Sequence, residues 1–197
     1  MPRKPRVFKD EGYYHVISRG NNQEPVFLSD NDFRVFKQAV LEAKLKYPFK
    51  LFHYCLMPNH VHLLLQVSKG RELSKIMHLI LLIYSRWFKK QTGHTGHLWQ
   101  GRFRSPLIDK ESYMLECGRY VERNPVIAGI VKTPEDYVWS SHPHYAHGTA
   151  DPLVDDDPYF ESFGINLIER RKNYRKFVAL QGPYDSLLDQ VLIENHI

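Results

Sequence analysis

Cysteine is nearly missing from this 197-residue chain: only Cys55 and Cys117 occur, far apart and without CxxC spacing. Neither a disulfide framework nor a four-cysteine zinc site can be built from them, and a reducing, cytoplasmic setting is expected. Long apolar runs are missing too. No stretch approaches the roughly 20 residues a membrane span requires, and the start MPRKPRVFKDEGYY lacks the apolar core of a secretory signal, so no membrane or secreted role is expected. There is no internal repeat and no low-complexity tract. At this length and near-average composition, one compact domain with trimmings is the expectation.

Charge is plentiful and unevenly placed. Lys+Arg 27 against Asp+Glu 22 gives a net +5, which favours a polyanionic partner. Residues 1–9 carry Arg3, Lys4, Arg6 and Lys9 with no acid. Residues 86–110 hold Arg86, Lys89, Lys90, Arg102, Arg104 and Lys110 against Asp109 alone, and a third basic run spans Arg170 to Lys176 after an acidic stretch at 151–161. A charge run is commonly just a solvated helix face. Here Trp87, Trp99 and Phe103 are interleaved with the cations, a combination suited to unpaired nucleic acid because rings stack on bases while cations hold phosphates.

Alternation and punctuation predict the elements. YYHVISR at 13–19 is a strand that stops at Gly20-Asn21-Asn22. Ser29 and Asp32 form a capping-box pattern ahead of Phe33, Phe36, Val40, Ala43 and Tyr47 at helical spacing. FKLFHYCL at 49–56 and HVHLLLQV at 60–67 are strands joined tightly through Pro58-Asn59, and a long amphipathic helix runs from Leu73 to Thr92-Gly93. RFRSPLI at 102–108 is an edge strand, since Pro106 cannot donate to a ladder. A third helix starts near Glu111 and is expected to stop at Asn124, because Pro125 disfavours the α conformation before it. The order βαββαβ is that of an α+β, ferredoxin-like antiparallel sheet covered on one face by two helices. A last helix is expected at 165–179.

In the strand 60–67 one face shows Val61, Leu63, Leu65 and Val67, and the other shows His60, His62, Leu64 and Gln66. The aliphatic face belongs under the two helices. The imidazoles then leave the opposite face about 7 Å apart, close enough to clamp one ion, and their softness suits Zn, Mn, Fe or Cu better than Mg. Tyr120 and Asn124, at i and i+4, share a face of the third helix with Tyr113 and Cys117. Singly, a tyrosine on such a helix is usually core and an asparagine before proline is usually a terminator. Set against an uncovered H-x-H face, they propose a site in which an amide completes a metal shell beside a phenol.

MPNHVHLLL at 57–65, LWQGRFRS at 98–105, YVERNPVIAG at 120–129 and YVWSS at 137–141 resemble the IS200-type tyrosine transposases of the HUH endonuclease superfamily, and in particular its REP-associated branch. The resemblance covers residues 7–146, and the pairing of His-hydrophobic-His with Tyr-x-x-x-Asn-Pro carries it. It implies a catalytic domain over 1–146 whose tyrosine helix lies on the open sheet face, with 147–197 a helical extension packed on or near it. It implies that Tyr120 is the nucleophile and that His60, His62 and Asn124 hold a divalent ion, Mg²⁺ or Mn²⁺, with Asn124 standing where insertion-sequence members commonly have Gln. Attack by Tyr120 on single-stranded DNA near a hairpin would leave a 5′-phosphotyrosine. The DNA would be held by Arg3, Lys4, Arg6, Arg19, Arg86, Lys89, Lys90, Trp99, Arg102 and Arg104, with the N-terminal arm reading a short flank. A cytoplasmic, nucleoid-associated protein acting as a monomer or homodimer is expected.

Two other readings make different predictions. A non-catalytic nucleic-acid-binding domain with a structural zinc at His60 and His62 would form no covalent adduct. A metal-dependent nuclease using water as nucleophile would survive loss of the Tyr120 hydroxyl.

Overall fold

The computed structural model describes residues 8–108 and 111–182. Its central element is an antiparallel sheet of β1 (Gly12–Arg19), β2 (Phe49–Met57), β3 (His60–Val67) and β4 (Leu107–Ile108), in the order β2-β3-β1-β4. Helices α1 (Asp30–Lys46) and α2 (Leu73–Thr92) are the two crossovers that this order demands. The architecture is the expected α+β one.

Local signals account for the helix ends. The Ser29–Asp32 capping box forms, with Asp32 Oδ2 accepting from the Ser29 amide at 2.7 Å. Tyr47, ahead of Pro48, ends α1 in an extended conformation. Gly93 closes α2 with φ of 69°, a left-handed cap where a Cβ would be strained. Both helices bury one stripe, Phe33, Phe36, Val40 and Ala43 from α1 and Ile76, Met77, Ile80, Tyr84 and Phe88 from α2, against Val61, Leu63, Leu65 and Val67 of β3. Each of these β3 side chains is essentially solvent-free, worth about 1.5–3 kcal/mol when so buried.

The other sheet face has its own cover. Helix α3 (Glu111–Ile127) lays Met114, Cys117, Tyr120 and Val121 over Leu64, Phe52 and Cys55. Two local expectations need correction. β4 is only two residues long: Pro106 interrupts the ladder, although its carbonyl accepts from the His15 amide at 3.1 Å and Arg104 makes a separate bridge to Ile17. And α3 does not stop at Asn124. It continues through Pro125 to Ile127 because proline forfeits one bond near a helix end, while the Asn124 carbonyl still accepts from the Ala128 amide at 2.9 Å.

The YVWSS segment runs along the outer edge of β2, where the Leu56 amide donates to the Trp139 carbonyl and the Ser141 amide to the Tyr54 carbonyl, at 2.9 and 3.0 Å. An edge otherwise open to pairing is thereby covered. Helices α4 (His142–His147) and α5 (Leu167–Ala179) follow, and α5 packs on α3 through Arg119, whose guanidinium lies 4.4 Å from the Phe177 ring centre. No helix among the described residues is long and apolar enough to cross a membrane.

Candidate functional site

Antiparallel register decides which side chains meet between the sheet and α3. Arg19 pairs with His60 and Ile17 with His62, so the odd-numbered residues of β1 share the sheet face of the two imidazoles. His15, two residues along that face, reaches His62: the rings stack with centroids 5.1 Å apart, and His15 Nε2 lies 2.9 Å from His62 Nδ1. His60 and His62 have ring centres 4.8 Å apart. Tyr120 presents its ring edge-on to both His62 and His15, at 5.9 and 6.0 Å. One turn on, Asn124 Nδ2 donates to the Tyr120 carbonyl at 3.1 Å. Asn124 also reaches the His60 and His62 side chains, where its amide opposes the lowering of both imidazoles.

Burial sets the charge state. Desolvation, and then the neighbouring His60, push the His15 imidazole down to about 3. Desolvation and the Arg19 cation push His60 down to about 4, partly offset by the Asn124 bond. His62 is held well below its ordinary value, by burial first and by His60 and His15 next. All three rings are therefore neutral at pH 7 and keep a lone pair. His60 Nδ1 is tied to Asn59 Oδ1 at 2.6 Å, which leaves Nε2 for another partner. His62 Nε2 is buried without a well-formed protein hydrogen bond. Among the described residues no group of three or more His, Cys, Asp or Glu side chains is placed so that it could hold a metal ion.

The cations sort into two sets. The segment after Leu98 runs beside β1, with the Gln100 amide donating to the Arg19 carbonyl at 2.8 Å and Arg104 bridged to Ile17. This brings Arg104 close enough to Arg19 to feel its charge: burial, and then Arg19, lower the Arg104 guanidinium. Neither arginine has a carboxylate within ion-pair distance among the described residues. Arg86, Lys89 and Lys90 are exposed on α2, across the sheet from the imidazoles, and Arg102 joins them by lining a groove with His78, Leu81 and Phe103. Trp99 lines the same groove but is only 9% exposed, packed against Tyr84 and Phe36 and bonded through Nε1 to Ser85 Oγ at 2.9 Å. Arg3, Lys4 and Arg6 lie outside the described residues.

Sequence reasoning missed His15 and Glu122. The alternation of β1 already placed His15 with Ile17 and Arg19, and only the register with β3 was lacking. Glu122 carries no such signal, because its partners come from four distant segments.

A ferredoxin-like sheet with a tyrosine helix across a face bearing an imidazole pair defines a class of α+β protein. The chain belongs to the IS200-like transposase family, which it matches over residues 9–124, a span containing the whole cluster. These are enzymes that cut and transfer DNA. It is 26% identical over 127 residues to the REP-associated tyrosine transposase of Escherichia coli K12, covering 61% of this chain and 72% of the relative. A Haemophilus influenzae protein provisionally assigned as a REP-associated tyrosine transposase is 28% identical over 153 residues, 72% of this chain and 85% of the relative. The solved structure of a REP-associated tyrosine transposase bound to a REP hairpin shares the fold, with a TM-score of 0.63 at 22% identity, covering 80% of this chain and 93% of that one.

Proposed function

We propose that this chain is a single-strand DNA transesterase that acts beside hairpin or palindromic repeat DNA, with Tyr120 as nucleophile. The observation that carries this reading is the convergence of Tyr120 and the Asn124 amide on two neutral imidazoles with free ring nitrogens. The Tyr120 oxygen forms a bond to phosphorus, the bond from phosphorus to the 3′ oxygen breaks, and the phenolic proton ends on the departing 3′-OH. The product is a 5′-phosphotyrosine that conserves the phosphodiester energy for strand transfer.

His60, His62 and Asn124 fit a divalent cation, Mn²⁺ or Mg²⁺, with the mixed nitrogen and oxygen set better matched to Mn²⁺. When bound, such an ion neutralises charge on the scissile phosphate and orients it for in-line attack. His15 fits the role of orienting partner: in the tautomer in which His62 Nδ1 donates to His15 Nε2, 2.9 Å away, the His62 Nε2 lone pair would be available to hold an ion. Arg19, beside His60, and Arg104, close to Arg19, have no ion-pair partner among the described residues and suit the flanking phosphates. The exposed cations of α2 and Arg102 suit a hairpin stem on a second surface, and Arg3, Lys4 and Arg6 its flank. The fold neighbour's hairpin ligand supports the same substrate for this chain. Residues 1–146 form the catalytic unit and 147–197 its extension, in a protein that acts as a monomer or homodimer.

The test is covalent capture. A hairpin oligonucleotide with its 5′ flank, incubated with protein and Mn²⁺, is expected to give a denaturation-resistant adduct that Tyr120→Phe abolishes. An adduct that persists in Tyr120→Phe refutes the assignment.

A further inference from the structure

The helix that carries Tyr120 also carries a fully buried carboxylate that the reaction does not use. Glu122 has no solvent exposure. Its Oε1 lies 2.9 Å from His53 Nδ1 on β2 and accepts from Ser141 Oγ at 2.7 Å. Its Oε2 lies 2.9 Å from His142 Nδ1 on α4 and accepts from Tyr174 Oη on α5, also at 2.9 Å. The far nitrogens of both histidines meet further acids, His53 Nε2 with Asp157 at 2.9 Å and His142 Nε2 with Glu135 at 3.4 Å. One turn earlier, Gly118 lets α3 approach β2: a Cβ there would sit 2.9 Å from His53 Nε2.

Angular position on α3 gives this cluster its meaning. At about 100° per residue, the stripe buried on the sheet runs from Tyr120 and Asn124, through Cys117 and Val121, to Gly118 and Glu122. Tyr120 and Glu122 lie about 200° apart around the axis, at the two limits of the arc that the sheet and its flanking segments cover. Apolar packing at Val121 and Cys117 holds the helix down but tolerates small rotations, because dispersion contacts are non-directional. Four hydrogen bonds converging on one carboxylate from β2, residue 141, α4 and α5 do not. A roll of about 10° would move groups at the 5–6 Å outer radius of a helix by about 1 Å, enough to break several of those bonds together and to misplace the phenol by a comparable amount.

We propose that Glu122 is a positioning residue, whose carboxylate, bonded by His53, Ser141, His142 and Tyr174, sets the rotation of α3 that aims Tyr120. The proposal rests on the reading of Tyr120 as nucleophile and extends it. The family match ends at Asn124, while Ser141, His142 and Tyr174 all lie beyond it, so the C-terminal segment, α5 included, is part of the scaffold of the active site.

The experiment compares Glu122→Gln and Tyr174→Phe with wild type in the full chain. It reads the single-turnover rate of adduct formation with the flanked hairpin, hairpin affinity, and thermal unfolding. Misplacing a nucleophile by about 1 Å costs about 100-fold in rate. Glu122→Gln is expected to slow adduct formation about 10–100-fold and Tyr174→Phe, which keeps its ring packing, about 3–10-fold. Hairpin affinity, which depends on the basic surfaces, stays within about twofold. Should Glu122→Gln fail to fold, Tyr174→Phe decides alone. Folded variants that react at the wild-type rate, or that lose affinity as much as rate, overturn the positioning role. Failure of the wild-type chain itself to form an adduct removes the Tyr120 assignment, and this proposal with it.

Discussion

Three neutral, buried imidazoles under α3 make the fold acid-sensitive in a way that one substitution can isolate. His15 titrates near 6.5 in an unfolded chain but is held at about 3 in the fold, by burial and by His60. Below pH 6.5 the unfolded state binds a proton that the folded state refuses. The His15 contribution to stability is therefore complete above that pH and is lost as pH falls toward 3. One such proton costs about 1.4 kcal/mol per pH unit, so His15 alone amounts to about 5 kcal/mol over the window. His60, at about 4, and His62, held lower than usual, act with the same sign. His15 and His60 together give a slope that approaches about 3 kcal/mol per unit below pH 6, and His62 adds in the same direction. A domain has about 5–15 kcal/mol to lose, so acid destabilises this fold strongly. The His53 and His142 imidazoles are shifted upward, His53 to about 9, so they are protonated in both states in this range and add no slope; their contribution is lost only as pH rises above 6.5. Urea unfolding followed by circular dichroism from pH 4.5 to 7.5 measures the slope. His15→Gln keeps an amide for His62 Nδ1 but cannot titrate, and is expected to flatten the slope by about 1.4 kcal/mol per unit below pH 6. Identical slopes for wild type and variant would refute the argument that His15 stays neutral in the fold.

Further outcomes concern DNA. His62→Ala is expected to abolish cleavage in Mn²⁺ while leaving hairpin affinity within a fewfold, since affinity rests on phosphate contacts; gel-shift and adduct assays on the same preparation separate the two, and joint loss in a folded protein would favour a structural ion. Arg104→Ala is expected to lower the slope of log affinity against log salt by about 0.7, the value for one contact to a single strand. An unchanged slope in a salt titration would place Arg104 away from the phosphates.

The elements of this protein are legible in its sequence because each is specified locally. The capping box at Ser29 and Asp32, Pro48, Gly93 and the strict alternation of 60–67 each act within a few residues, and they suffice for the order βαββαβ. The aliphatic face of β3 even says which side the two helices cover. His60, His62, Tyr120 and Asn124 are legible as well, since period two on a strand and i, i+4 on a helix place each pair on one face. Pro106 and Pro125 mark the limit of local rules: the first breaks a strand more than the pattern implies, because a missing donor interrupts a short edge ladder, and the second breaks a helix less, because it forfeits one bond near the helix end. Three features belong to tertiary structure alone. His15 meets His62 only through the β1–β3 register. Trp99 is taken into the core by Phe36, Tyr84 and Ser85. Glu122 acquires its four donors from residues 53, 141, 142 and 174. A buried charge is tolerated only where distant segments converge to satisfy it, and such convergence is a property of the packed chain with no periodicity for a sequence to display.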